Sequence, residues 1–350
     1  MLFIPHKYLY ISGASYVSAD EPDYKEVITD ANSRRRMGRL LKMAVWCGLK
    51  SLDGVPSERV SGIITSTGAG FMKDTISFGS SIFDREETLL NPSPFMQSTF
   101  NTASGYIALI RKIHAYNTTY VQQADGFAAS LVDAAMLLDD AGEGNVALVG
   151  AFDEVTPEVD VIRKRLGLYR VGDGFLPLGE GAAAFLLSAA MPTDVSESCR
   201  ATESSTGLGG DDGSESDSGR DGYEAGSESD SERGGESGSE SSSEPLHESG
   251  ETSSRSLNGT KDGNAALRFC GLANLSDLPK CAANPISELF GINACVNVIS
   301  CADHVESLGA FRSLLPVLLC KLISEQKIPD GYTAIVDDVN EDGVIVLLHK

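Results

Sequence analysis

Apolar positions along the chain change rhythm many times, and each change marks an element. Short β-branched or aromatic runs bounded by Gly, Pro, Ser or Asp predict strands at Tyr8–Ile11, Val60–Thr65, Thr118–Val121 and Asn145–Gly150, with Ser12-Gly13 turning the chain after the first. Gly172–Leu187 (GDGFLPLGEGAAAFLL) reads as a glycine-rich turn leading into an alternating apolar strand. A period near 3.6 predicts a helix over Asp30–Leu52, with Met37, Leu40, Leu41, Ala44 and Gly48 on one face and Arg35, Arg39 and Lys42 on another. Phe95–His114 predicts a second helix, whose Ala103, Ser104, Gly105 and Ala108 permit close packing. The sharpest change lies in Asn117–Leu138, NTTYVQQADGFAASLVDAAMLL. Here a buried strand must reverse around Gln122–Gly126 into a helix carrying Phe127, Leu131, Ala134, Ala135 and Leu138 at helical spacing. Gly142 ends that helix, and the Asn145–Gly150 strand is expected beside the strand ending at Val121.

Past Met191 the rhythm disappears. Residues 191–264 are Ser, Glu, Asp and Gly with repeated SES and SDS units, and they cannot bury enough apolar surface to offset the entropy of ordering. A disordered acidic linker is expected there. Periodicity resumes at Ala265, predicting strands at Leu267–Cys270, Cys295–Ser300, Tyr332–Asp337 and Val344–Leu348 and helices at Pro285–Phe290 and Ser307–Ser324, the latter kinked or split at Pro316. The chain therefore divides into 1–190, the linker 191–264, and 265–350.

A length of 350 residues with 41% hydrophobic content suffices for a large α/β core. The net charge of -22 is concentrated: Asp194–Asp262 holds 18 acidic against 5 basic residues, which is -13, leaving about -9 for the rest. Nucleic acid is excluded as a partner, because a phosphate backbone needs a concentrated basic face. No apolar run is long enough to span a bilayer and the amino terminus lacks signal-peptide order, so a cytoplasmic protein with no membrane association is expected. Seven cysteines without a CxxC pair point to reduced thiols, with no metal site and no cofactor motif.

Candidate chemistry centres on the elbow. A side chain at a helix start sits beside unpaired N–H groups and the positive end of the macrodipole, which activates a thiol and stabilises negative charge. Yet Gln122, Gln123, Ala124 and Asp125 include no Cys or Ser, so the elbow either reacts through other groups or has the shape without the chemistry. Ser66–Gly70 (STGAG) lacks the spacing of a phosphate cradle and reads as a tight turn. Asp153 and Glu154, adjacent on extended chain, point apart and form no catalytic dyad. His114 reads as a helix-end cation, and Arg34-Arg35-Arg36 as a solvated helix face or a dock for an acidic partner.

Four segments in order, PSPFMQSTFNTASGYIALI, NTTYVQQADGFAASLVDAAMLL, NVALVGAFDEVTP and DGFLPLGEGAAAFLL, resemble the amino-terminal half of β-ketoacyl synthases over about Lys7–Ser188. Gly174-Phe175 followed by Gly179-Glu180-Gly181-Ala182 is the most telling match. EPDYKE and RRRMGRLLKMA further resemble a branch of ketosynthase-like, chain-length-factor-like proteins of bacterial aryl-polyene and flexirubin-type pigment pathways. The resemblance implies a thiolase-like, layered αβαβα fold with a complete amino-terminal half and a shortened carboxy-terminal half, dimerising through the strand before the elbow. In active members that elbow carries the nucleophilic Cys, which falls at Ala124 here, while Asp125 reads as the helix N-cap. The family's His-Gly-Thr loop matches Phe269–Asn274, which has no His. His304 before Leu308-Gly309-Ala310 is the candidate remnant of a second His, and Asp337-Asp338-Val339-Asn340 replaces the Gly-Phe-Gly-Gly turn of the oxyanion hole.

Nucleophile, first His and oxyanion loop are thus all altered, and three functions follow. The first is a non-catalytic ketosynthase-like subunit, resembling a chain-length factor, that pairs with an active ketosynthase in fatty-acid-like or polyketide synthesis. Gln122, Gln123, Asp125 and Phe127 would then form the elbow pocket, with Phe127 and the apolar side of the following helix either lining the tunnel or packing in the core, and Arg35 and Arg39 would receive an acyl carrier protein. The second is a condensing enzyme or acyltransferase with a relocated nucleophile, Cys301 before Cys270. The third is a homodimeric acyl-binding scaffold.

Overall fold

In the computed structural model, residues 2–6, 8–122, 125–142, 144–190, 266–280, 282–340 and 343–350 are described. The linker 191–264 lies outside them. Nine strands form one mixed sheet: β1 (Leu9–Val17), β2 (Val60–Thr67), β3 (Tyr116–Val121), β4 (Val146–Asp153), β7 (Gly181–Ser188), β8 (Arg268–Asn274), β9 (Val296–Ser300), β10 (Tyr332–Val336) and β11 (Val344–His349). β5 (Arg170–Val171) and β6 (Gly174–Phe175) make a separate hairpin.

The strand order β3-β2-β4-β7-β1-β8-β11-β10-β9 contains a repeat. Outward from β1, the pairings with β7, β4, β2 and β3 run antiparallel, antiparallel, parallel, parallel. Outward from β8, the pairings with β11, β10 and β9 run antiparallel, antiparallel, parallel, and then stop. Among the described residues the second half repeats the first without its outermost strand, and the halves join where Leu9 and Tyr10 pair with Phe269 and Arg268. This is the expected shortened carboxy-terminal half.

Alternation along the strands builds the layers. In β4, Ala147, Val149 and Ala151 face a central core, while Val146, Leu148 and Phe152 face a second one on the other side. In β11, Val344, Val346 and Leu348 face the central core and Ile345 and Leu347 a third. Two helices fill the centre, α6 (Asp125–Ala141) through Phe127, Leu131, Ala134 and Leu138, and α10 (Leu314–Ser324) through Leu314, Leu315, Val317, Leu318, Leu319, Leu322 and Ile323. Each such large aliphatic or aromatic side chain contributes about 1.5–3 kcal/mol by leaving water. Outside the first half lie α2 (Arg39–Ser51) and α5 (Thr102–Arg111); outside the second lies the short α8 (Pro285–Leu289). The outcome is the expected sequence of helix, sheet, helix, sheet, helix.

Several boundaries differ from expectation for identifiable reasons. Ser12-Gly13 does not turn the chain: β1 runs through it with a register shift between Ile11 and Gly13. The Asp30–Leu52 helix breaks at Met37-Gly38 into α1 (Ala31–Arg36) and α2, because the buried Gln97 side chain donates to Arg36 O and accepts from Gly38 N at 2.9 Å. The Phe95–His114 helix is two, α4 (Pro92–Ser98) and α5, preceded by α3 (Met72–Asp84). β7 is buried along its whole length on both faces. β8 extends to Asn274, so the segment matched to the His-Gly-Thr loop is strand. Pro316 neither kinks nor splits a helix; it lies in the first turn of α10, where its missing N–H costs nothing, and the break falls earlier, after α9 (Val305–Leu308) at Gly309. β3 is not buried and β4 is not its neighbour: β2 lies between them, and β3 is an edge strand with a half-exposed to exposed profile.

Candidate functional site

The elbow sits where β3 ends and α6 begins. Gln123 and Ala124 lie outside the described residues, as does the side chain of Asp125, the first residue of α6. Gln122 is exposed and opens on a groove of about 470 Å³ between the two halves. Val132 and Met136 of α6 form one wall and Leu272 and Val344 of β8 and β11 the other, with Asn274 at the end of β8. The structure thus brings Gln122 together with the segment matched to the His-Gly-Thr loop. Phe127 is not part of the groove: it points into the central core, 4% exposed, with its ring 5.5 Å from that of Phe185. Of the two readings of Phe127, tunnel wall and core, it takes the core, because helical spacing puts it with Leu131, Ala134 and Leu138.

Cys301 and His304 also stand away from the groove lining. Cys301 is fully buried, and burial, with the facing Asp337 and Asp338 carboxylates, pushes its thiol well above the ordinary range. His304 is half-buried in a one-turn 3-10 helix, Ala302–His304; its N–H donates to Cys301 O at 3.0 Å and its carbonyl accepts from Ser307 Oγ at 3.0 Å. Cys270 is half-buried and its thiol is pushed up by burial. The acidic turn is consumed by structure. Asp338 accepts from Ser300 Oγ at 2.5 Å and Ala302 N at 2.9 Å, while the buried Asp337 accepts from the Val339 and Asn340 N–H groups and from Asn340 Nδ2. Asn340 Oδ1 in turn accepts from Tyr169 Oη at 2.9 Å.

The basic helix face is partly spent. Arg39 is held between Glu21 and Glu180, so Glu180 of the Gly179-Glu180-Gly181 motif serves as an internal anchor; its other oxygen accepts from Val155 N at 3.3 Å. Arg34 donates to the carbonyls of Ile28 and Thr29. Arg35 remains exposed, bonded to Asn32 Oδ1 at 2.7 Å. The glycines of that motif permit a tight seam between the halves. Gly179 N donates to Ala310 O and Ala310 N to Pro177 O, and a Cβ on Gly179 would lie 1.8 Å from Leu308 O.

Two arrangements were not foreseen from the sequence. The STGAG loop cradles an internal carboxylate in place of a phosphate: Asp153 Oδ1 accepts from Thr67 Oγ1 at 3.0 Å, Gly68 N at 2.8 Å and Ala69 N at 3.2 Å, and Oδ2 accepts from Ser313 Oγ at 2.5 Å. Glu154 points elsewhere, to Lys73 N at 2.7 Å, as adjacent strand residues must. Beside the groove, Asp133 Oδ2 accepts from both Tyr116 Oη and Tyr120 Oη at 3.1 Å. Burial and that carboxylate push the Tyr120 hydroxyl up to about 12. The signal was available: Tyr116 and Tyr120 share a strand face, and Asp133 interrupts an otherwise apolar helix stripe.

Among the described residues no group of His, Cys, Asp and Glu could hold a metal ion, and no helix is long and apolar enough to cross a membrane. Residues 14–167 match the family model of the β-ketoacyl synthase N-terminal domain. No curated protein gives a match. Solved structures of the same fold include "The ishigamide ketosynthase/chain length factor", 12% identical with TM-score 0.58, covering 98% of this chain and 99% of that one. The AntDE:AntF complex, a type II PKS acyl-carrier protein with its ketosynthase, matches at 13% identity and TM-score 0.58, covering 98% and 99%. A β-ketoacyl synthase from Burkholderia phymatum STM815 matches at 10% identity and TM-score 0.57, covering 98% of both. With the layered architecture and the repeated strand order, the chain has the thiolase-like fold of ketosynthases, and its residues 14–167 are similar to the β-ketoacyl synthase N-terminal domain.

Proposed function

We propose that the protein is a non-catalytic ketosynthase-like subunit that pairs with an active ketosynthase, as a chain-length factor does, and receives acyl chains from an acyl carrier protein. The observation that carries this reading is thiol chemistry. The sequence supplies Ala124 where active members carry Cys, and Cys301, the best alternative, is buried, faces two carboxylates and is held protonated. A protonated, enclosed thiol neither attacks a thioester nor exchanges with a carrier-bound acyl group.

Pairing is supported by the first half's outer edge. Among the described residues no strand pairs with the outer edge of β3, and the neighbouring surface exposes Phe95, Met96, Leu109, Tyr116, Val121 and Met136. A self-pairing homodimer would use the same edge. Two of the similar structures are described as a ketosynthase/chain length factor and as a ketosynthase with its acyl-carrier protein, which fits this partner set. Arg35, exposed on α1 beside the likewise exposed Arg36, would meet an acidic carrier.

Incubation with acyl-carrier-bound acyl thioester, read by intact mass, is expected to leave the protein unmodified, and a Cys-containing ketosynthase is expected to co-purify with it. A covalent acyl adduct that disappears in Cys301→Ala would overturn the reading in favour of a relocated nucleophile. A stable homodimer indifferent to a ketosynthase would point to the scaffold instead.

A further inference from the structure

The nine-stranded sheet has a second open edge, at the far end of its strand order from β3. Outward from β8 the pairings end at β9, and among the described residues no strand lies beyond it, whereas in the first half β3 lies beyond β2. Cys301 N donates to Val336 O at 2.9 Å, and parallel pairing alternates by residue. The N–H and C=O groups of Asn297 and Ile299 therefore serve β10, and those of Val296, Val298 and Ser300 point away from the sheet. Proteins guard such an edge with a charge, a proline or a bulge. Residues 291–302, GINACVNVISCA, contain no charge and no proline, and β9 runs beside β10 without a register shift. Val296 packs on the third core, and Val298, on the same face, is 56% exposed.

The strand is also self-complementary. Laid antiparallel on its own copy about a two-fold axis at Val298, its outward groups at Val298 meet those of the copy's Val298, and those at Val296 meet those of the copy's Ser300. Every outward N–H then finds a C=O, and the two Val298 side chains stand side by side, about 5.5 Å apart at Cα. No like charges meet: Asp303 falls opposite Asn293 and Ala302 opposite Ala294. The other strand the chain could offer, β3 of another copy, would pair with β9 head to tail and leave a free edge at each end, which gives open chains instead of a closed assembly.

We propose that β9 is a self-association edge, through which two copies of this chain join by antiparallel pairing of Val296–Ser300 about a two-fold axis at Val298. The proposal does not rest on pairing with a ketosynthase, because β3 and β9 are separate edges and both can be occupied at once. Five residues make a short seam, at the small end of specific interfaces, so a dissociation constant of about 10–100 μM is expected.

The test is sedimentation velocity of full-length Val121→Lys, whose β3 edge carries a charge, over about 2–200 μM. A monomer–dimer equilibrium is expected. Adding Val298→Pro removes one outward N–H and leaves the bonds to β10, and should weaken dimerisation by about tenfold or more. Val298→Lys sets two like charges side by side on the axis and should do the same. Circular dichroism checks that both variants fold. Without any change at β9, deuterium exchange of residues 296–300 in Val121→Lys should slow as concentration rises across that range. A protein that stays monomeric throughout, a dimer that folded Val298 variants leave intact, or exchange at β9 that is indifferent to concentration would each overturn the proposal.

Discussion

Asp153 shows at the scale of one side chain what the sequence allowed and what it hid. Alternation along a strand was enough to separate Asp153 from Glu154, but not to show that a loop some 85 residues earlier and Ser313 from the other half converge on its carboxylate. That convergence is tertiary, and periodicity carries no trace of it. Replacing Asp153 by Ala leaves two backbone N–H groups and two hydroxyls without their acceptor and is expected to cost about 3 kcal/mol or more. Asn is a sharper probe. Burial raises the Asp153 carboxyl above its ordinary value, against the four donors that lower it. With the folded value above the unfolded one, its stabilising contribution is complete below the unfolded pKa and is lost as pH rises through the folded pKa. Asp153→Asn removes that loss, so urea denaturation at pH 4.5 and pH 8 should show the variant gaining on the wild type as pH rises. Asp337 and Glu154, also raised, are common to both proteins and cancel in the difference. The opposite slope would mean that the four donors outweigh burial.

Among elements, β3 and α6 were legible in type, because a β-favouring run and a helix with a regular apolar stripe leave little choice, while β3 starts two residues before the expected Thr118 and α6 begins at Asp125, inside the expected elbow. The position of β3 was not legible. NTTYV is β-favouring and runs into an apolar helix, which reads as interior, and only the strand order shows it at the edge, separated from β4 by β2. The same ambiguity covers α3 and α4, which expose Phe83 at 86% and Phe95 at 54%, with Leu89 at 90% between them, while Phe95 packs on Phe78 with centroids 5.2 Å apart. Apolar residues that no core absorbs are spent on a partner or remain a liability. Val121→Lys on β3 and Met96→Asp on α4 change exposed side chains and are expected to leave stability within about 0.5 kcal/mol. Both should nevertheless weaken association with a ketosynthase, or self-association if the chain pairs with itself, measured by sedimentation velocity. If neither variant changes the sedimentation of a complex that the wild type forms, the partner sits elsewhere, and the open edge at β9, where Val298 is exposed, becomes the next surface to probe.

For the whole molecule, the repeat explains how one chain tolerates a long acidic segment between its halves. β7 ends at Ser188 and β8 begins at Arg268, and both residues pair with Tyr10 from opposite sides of β1. Two strand spacings, about 10 Å, therefore separate the points that residues 189–267 connect. The composition change at Met191 marked this junction in the sequence, but the closeness of its ends follows only from β1 lying between them. A linker of eight Gly and Ser residues in place of 191–264 spans that gap easily. It also closes a loop of 13 residues in place of 79, about six times shorter, which lowers the entropic cost of closing it by the equivalent of about two and a half doublings, about 1.5 kcal/mol. The shortened protein is expected to fold with unchanged circular dichroism, to carry about 13 fewer net negative charges, and to resist urea better than the full chain by up to that amount. A less stable product with the same spectrum would show that the acidic segment contributes contacts to the folded body.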